Sequence, residues 1–345
     1  MPSIVEVVRG AVVESVHRVS VAVARPDGRL FARSGEPDLV TFWRSAAKFF
    51  QAIPLVADGA AAAFGVTDEE LALACASHNG EARHVATARG LLARSGASEA
   101  DLVCGPHPSL AESVARSMAQ RGEAPTRLHN NCSGKHAGML ALAAHHGWAR
   151  AIYPEMSGAV QQRCLAEVGQ WTGAPELEIT HAIDGCGVPS FALSLRHMAT
   201  AYARLAAAPG LLAAGRSLNG VADASLAAAA RLLAAVRAHP FLIAGTDRLD
   251  TALIEATGGG VVAKVGAEGL YCAAIPELGA GVALKVEDGA MRALAPALLG
   301  VLDALLPGRV PDLEAHRAPA LTNTRGERVG HIVARVELTR DAANG

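Results

Sequence analysis

WRSAAKFF, residues 43–50, places a hydroxyl and an amine three residues apart inside an apolar stretch. On a helix, side chains three apart share a face. The plain reading makes Ser45 a helix cap and Lys48 a solvated end. The chemical reading makes Ser45 a nucleophile and Lys48 the base that takes its proton, because apolar surroundings disfavour the charged amine. Arginine could not serve there, since its guanidinium stays protonated. The other lysines are Lys135, Lys264 and Lys285, and every other non-histidine basic side chain is Arg. A sequence that uses Arg for charge keeps Lys where an amine has to lose its proton. Chance retention accounts for Lys285.

The chain has 345 residues, 51% of them apolar, enough for a sizeable core. A net charge of −2 and 4% aromatic residues argue against a nucleic-acid partner. The opening MPSIVEVVRG has no basic segment followed by an apolar run. The alanine-rich stretches are broken before the ~20 apolar residues of a membrane span. The expectation is a soluble cytoplasmic protein with no membrane partner. Its six cysteines are then thiols or metal ligands, not a disulfide framework.

VVESVH, VSVAVA and RLFAR read as strands, with PDG as a turn. From Phe42 to about His239 the pattern is helical. Thr67 and Glu70 form a capping-box pattern, Ser109 opens SLAESVARSMAQRG, and His136–His146 ends at Gly147. SFALSLRHMATAYARLA and SLAAAARLLAAVRAH are two further helices. VVAKVG, GLYCAAI and GVALKV read as consecutive antiparallel strands, followed by the helix MRALAPALLGVLDALL and the strand HIVARVEL. The expected fold is α/β (α+β) in a single domain, 1–345. An antiparallel sheet from both termini (1–41 and 240–340) is flanked by helices, with a helical subdomain over 42–239.

Four more stretches combine reactive side chains with glycines: Ser77–Gly80, His129–His136, Asp184–Gly187 and Lys264–Gly266. Ser-x-x-Lys, Ser-x-Asn and Lys-x-Gly, in that order, resemble the motif set of serine β-lactamases and penicillin-binding proteins. Ser77 follows Ser45 sooner than in those enzymes, which counts against a β-lactam substrate. Cys132 and Cys186 add something those enzymes lack. Two thiolates suit zinc, although C-x-x-C pairs are absent, and two scattered cysteines also serve as small buried hydrophobes.

VRGAVVESVHR, WRSAAKFFQAIPLV, CASHNGE, HNNCSGKHAGML, IDGCGVPS, HPFLIAGTDRLDT and AKVGAEG, in order, resemble the Rhizobium etli-type (class 3, thermolabile) L-asparaginases. That resemblance covers about residues 5 to 340. It implies a fold similar to serine β-lactamases and hydrolysis of L-asparagine to L-aspartate and ammonia. It implies two Ser–Lys tandems, Ser45 with Lys48 and Ser77 with Lys264. It also implies a zinc ion held by Cys132, Lys135, Cys186 and a water. Arg44, Asn79, Asn131, His136 and Asp184 are then expected to bind substrate, and the protein is expected to be a homodimer. A serine hydrolase acting on glutamine, an ester or a β-lactam would keep the Ser–Lys pairs without the cysteines. A non-catalytic zinc protein would keep the cysteines without Ser45.

Overall fold

The computed structural model describes residues 3–340. They divide into two compact units. One comprises the residues up to Ala46, Leu193–Ala207 and the residues from Ala256 onward; the other comprises Ala47–Ala192 and Ala208–Glu255.

The strands are β1 (Ser3–Arg9), β2 (Val12–Ala24), β3 (Leu30–Ser34), β4 (Val40–Phe42), β5 (Thr180–Ile183), β6 (Pro189–Ser194), β7 (Val262–Val265), β8 (Leu270–Ile275), β9 (Ala280–Val286), β10 (Ala320–Thr322), β11 (Arg328–Arg335) and β12 (Thr339–Arg340). The first unit holds a sheet ordered β10-β11-β1-β2-β9-β8-β7, antiparallel at every step. β3 joins β2, and β12 joins β3. The two ends of the chain thus build one sheet, as the strand pattern predicts. VVESVH and VSVAVA form one strand instead of two. Its first half pairs with β1, and its second half pairs with β3 and β9. β1 alternates buried and partly exposed residues, whereas β7, β8 and β9 are buried throughout. An unbroken apolar run is what a strand covered on both faces requires. The Leu294–Leu305 helix packs on β1, β8, β9 and β11.

In the second unit the Lys48–Ala57 helix is the centre. Its residues from Lys48 to Leu55 are all buried, and helices 133–146, 159–172 and 223–238 pack round it. A helix apolar on all sides belongs in a core. The Asp68–Ala74 helix begins with the expected capping box. Thr67 Oγ1 accepts from the Glu70 N–H at 3.3 Å, and the Thr67 N–H donates to Glu70 Oε2 at 2.8 Å.

Three local expectations change. The SFALS segment is strand β6 rather than the start of a helix, which begins at Leu195. Periodicity alone does not separate a short buried strand from a buried helical segment. Asp184–Gly187 therefore joins two strands. The helix expected from Ser109 starts at Glu112, because the Ser109 hydroxyl accepts from the Ala111 N–H at 3.1 Å and forms a turn before it. Helices also continue past 239, as Pro240–Ile243 and Leu249–Ala256. Among the described residues, no helix is long and apolar enough to cross a membrane.

Candidate active site

All four lysines are buried: Lys48 and Lys264 are 0% exposed, Lys135 is 4% and Lys285 is 9%. Lys48 is thus not a solvated helix end. Ser45 is not the cap of the helix that begins at Lys48, whose N-cap is Ala47. Arg44–Ala47 forms a single 3-10 turn with Arg44 at φ 53°, in the left-handed region. Backbone strain of that kind collects at functional sites. Lys264 lies on β7 and donates from Nζ to the Val265 carbonyl at 2.9 Å.

The remaining reactive side chains belong to the second unit. Lys48 donates to the carbonyls of Ala76 at 2.5 Å and Asn131 at 3.2 Å, and its Nζ lies 2.9 Å from Ser77 Oγ. Burial lowers its pKa first of all; Lys135 adds to the shift, while Cys132 and Cys186 oppose it. A neutral amine has two N–H donors and one lone pair. In its neutral form, with the two carbonyls taking both donors, the amine would turn its lone pair to the Ser77 proton; charged, it donates to Ser77 Oγ. An amine of this kind can act as a general base toward a serine.

The loop carrying Ser77 is held by neutral histidines. The Gly80 N–H donates to His78 Nδ1 at 3.1 Å, so His78 carries its proton on Nε2, which donates to Ser133 Oγ at 3.0 Å. His78 stacks on His84, and His84 on Phe241. Burial lowers both histidine pKa values, that of His84 to about 4. The unfolded His84 protonates near pH ~6.5, so the unfolded chain binds more protons between that pH and about 4. Stability attributable to His84 is therefore full above ~6.5 and is lost as pH falls toward its folded value. The melting temperature is expected to fall by at least about 5 °C more in the parent than in His84→Gln between pH 7 and 4.5. Parallel curves would remove His84 from the acid sensitivity.

Asn131 and Cys132 precede the Ser133–His146 helix. Its second residue, Gly134, lies against the end of the Asp68–Ala74 helix, where a Cβ would come within 2.3 Å of the Leu73 carbonyl oxygen. That close approach brings Cys132 and Lys135 beside Lys48. Lys135 Nζ lies 3.2 Å from Cys186 Sγ, and Cys132 Sγ donates to Asn131 Oδ1 at 3.0 Å. A Cys132 hydrogen bond, with help from Lys135, lowers the Cys186 pKa to about 4. The same bond, with burial, pushes Cys132 up to about 12. Burial works against the Lys135 ammonium, but the Cys186 and Cys132 charges outweigh it and raise its pKa. The Cys186 pKa is thus lowered and the Lys135 pKa raised, each favouring the charged form beside the other, and Asp184 adds negative charge nearby. Asp184 also accepts from the Gly185 N–H at 2.8 Å, within the turn that presents Cys186.

His136 accepts at Nδ1 from the Tyr153 hydroxyl at 2.8 Å, and that oxygen in turn accepts from the Val103 N–H. Its buried Nε2 carries the proton and has no partner among the described residues. Burial, then Lys135, lowers its pKa to about 3. It is a neutral donor with a hydrogen bond still to give. The Asn79 side chain is engaged instead with Thr246, Glu81 and Arg248. Tyr153, Glu81, Thr246 and Arg248 were not expected from sequence. HPFLIAGTDRLDT contains the last two, but nothing in its spacing marks them.

No group of three or more His, Cys, Asp or Glu side chains gathers for a metal among the described residues. A metal would have to use the Lys135 amine together with the two thiols. Two sulfurs and a nitrogen, mutually close and buried, suit a zinc-like cation once Lys135 and Cys132 have lost their protons.

A buried amine lies against a serine hydroxyl here, with two buried thiols close by. Residues 5–334 match the L-asparaginase II family, and the chain belongs to it. No curated protein matches the sequence. Among solved structures, Mglu in its native form in the presence of 4.3 M NaCl is similar at 15% identity, over 79% of this chain and 56% of that one, with a TM-score of 0.35. A second native Mglu structure is similar at 14% identity, over 86% and 66%, with a TM-score of 0.37. This chain spans less than two thirds of the length of those proteins.

Proposed function

We propose that the chain hydrolyses the side-chain amide of L-asparagine, giving L-aspartate and ammonia. Membership of the L-asparaginase II family over residues 5–334 carries the reading, and the Lys48–Ser77 contact supports a chemistry for it. Ser45, the serine of the Ser-x-x-Lys motif, attacks the amide carbon. Lys48, whose pKa burial lowers, takes the proton. Ser77, bonded to that amine, returns it to the departing ammonia, with Lys264 as the second amine. Water then cleaves the acyl-enzyme. Backbone N–H groups hold the oxyanion, and one such donor is worth ~3 kcal/mol in the transition state. His136, with its free N–H, and Asn131, Asp184 and Arg44 bind the substrate, while Asn79 holds the Ser77 loop.

Cys132, Lys135 and Cys186 hold the zinc ion, which when bound supplies a fixed positive charge that orients asparagine. The chain works as a homodimer in the cytoplasm. Elemental analysis should find about one zinc per chain at neutral pH, falling in acid because binding displaces protons from Lys135 and the thiols. Chelation should raise KM more than it lowers kcat. Absence of metal from protein purified with zinc, or unchanged kinetics after its removal, would remove this role.

The reaction is tested by ammonia release from L-asparagine beside L-glutamine and a chromogenic β-lactam. Asparagine should exceed the other two in kcat/KM by at least about a hundredfold, as expected for a site that reads a substrate's polar groups. Turnover of the β-lactam or glutamine alone would make this a different serine hydrolase. Zinc binding with no hydrolysis would make it a zinc protein.

A further inference from the structure

The segment from Ile243 to Arg248 is laced to the Ser77 loop. The Ser77 and Asn79 N–H groups donate to the carbonyls of Ile243 and Ala244 at 2.9 and 2.8 Å. Asn79 Nδ2 donates to the Thr246 carbonyl at 2.9 Å. Thr246 returns two bonds to the Glu81 carboxylate, at 2.9 Å from its N–H and 2.8 Å from its hydroxyl. The chain turns here through Gly245 at φ 111° and Asp247 at φ 60°. A Cβ on Gly245 would come within 2.4 Å of Glu81 Oε1 and 2.9 Å of Asn79 Nδ2 and push both side chains aside, and its positive φ favours glycine. The turn returns Arg248 to the loop, where Nη1 donates to Asn79 Oδ1 at 2.9 Å and to the Ser77 carbonyl at 3.5 Å.

Only one corner of the guanidinium is used. Among the described residues, Nε and Nη2 meet no acceptor, and Arg248 is only partly buried. An arginine fixed at one nitrogen, with its remaining fork open, is pre-organised for a carboxylate. It touches the backbone of the residue whose hydroxyl bonds Lys48. In asparagine, two carbons separate the amide carbon, whose departing nitrogen meets Ser77 in the proposed reaction, from the α-carboxylate, and Arg248 is an anion receptor bonded to the Ser77 backbone.

We infer that Arg248 is the receptor for the α-carboxylate of the amino-acid substrate, held in place by Asn79 and the Ser77 backbone. This rests on the reading of the chain as an enzyme of a free amino-acid amide. The Arg248 fork sets the preference for amides that carry the α-carboxylate.

The test pairs Arg248→Gln and Arg248→Lys with two kinds of measurement. Kinetics compare L-asparagine with 3-aminopropanamide, which is asparagine without its α-carboxylate. Calorimetry compares binding of the corresponding acids, L-aspartate and β-alanine, and needs no turnover. Arg248→Gln should raise the KM for asparagine about ten- to a hundredfold with a smaller change in kcat, the range for a charge-assisted bond. It should weaken L-aspartate binding to a similar degree and leave β-alanine unchanged. Arg248→Lys keeps the charge but loses the fork, so it should recover part of the loss; it carries the same comparison if the Gln variant fails to fold. Equal losses for both ligands of a pair, or a fall confined to kcat, would reduce Arg248 to holding Asn79 and overturn the inference. Parent enzyme that binds neither acid would overturn it too. Failure of the parent to release ammonia from asparagine, with L-aspartate binding still dependent on Arg248, would overturn the proposed reaction and leave the receptor standing.

Discussion

Ser45→Ala is expected to lower kcat by about three orders of magnitude or more, the scale seen when a catalytic serine is removed, with the fold intact. Ser45 lies in a 3-10 turn, is only partly buried and caps no helix. Loss of its hydroxyl therefore removes no cap from the following helix. Ser77→Ala should be comparably severe. Ser77 is 3% exposed, and its oxygen is 2.9 Å from Lys48. Removing it leaves the amine its two carbonyl partners, so the helix stays in place while the proton route is broken. Steady-state kinetics with circular dichroism separate the two effects. Near-normal turnover in Ser45→Ala would remove that serine as nucleophile. Near-normal turnover in Ser77→Ala would remove the relay.

Lys48→Arg is expected to be nearly as inactive as Lys48→Ala, with kcat lower by about two to four orders of magnitude, the usual contribution of a general base. Arg keeps the positive charge and three or more N–H donors, so it could still reach the Ala76 and Asn131 carbonyls. It lacks a lone pair at neutral pH. The side chain is also fully buried: Lys48 is 0% exposed. A thermal melt on each variant checks that the buried guanidinium is tolerated, and Lys48→Met, which fills a similar volume without charge, gives a control if it is not. An active Lys48→Arg enzyme would mean that the amine serves only as a fixed charge. Because burial already lowers the Lys48 pKa, the parent's activity should rise with pH as Lys48 gives up its proton.

Much of the architecture was legible in local chemistry. The Thr67–Glu70 capping box, the unbroken apolar runs of β8 and β9 and the glycine that ends the Ser133–His146 helix each follow from residue type and spacing. β6 was not legible, since SFALS runs straight into a helix and carries the same apolar character. In the site, the scarcity of lysine pointed to amines that lose their proton; Lys48 is buried with a lowered pKa, whereas Lys135 is buried with a raised one, and Lys285, set down to chance, is buried as well. The Lys48–Ser77 contact could not be read from spacing, because it joins residues 29 apart through a loop whose path depends on His78, Gly134 and the Ile243–Arg248 segment. Arg248 was hidden for the same reason: nothing distinguishes it from the many other arginines until its bond to Asn79 is seen.

Acid quenching of the enzyme during turnover of L-asparagine, followed by intact-mass and peptide mapping, tests most directly whether a Ser–Lys pair forms an acyl-enzyme. The expected result is an aspartyl ester on Ser45, absent from Ser45→Ala and strongly reduced in Lys48→Arg. An ester on Ser77 that persists in Ser45→Ala, or sustained ammonia release with no ester on either serine and no aspartyl hydroxamate formed when hydroxylamine is added, would contradict it.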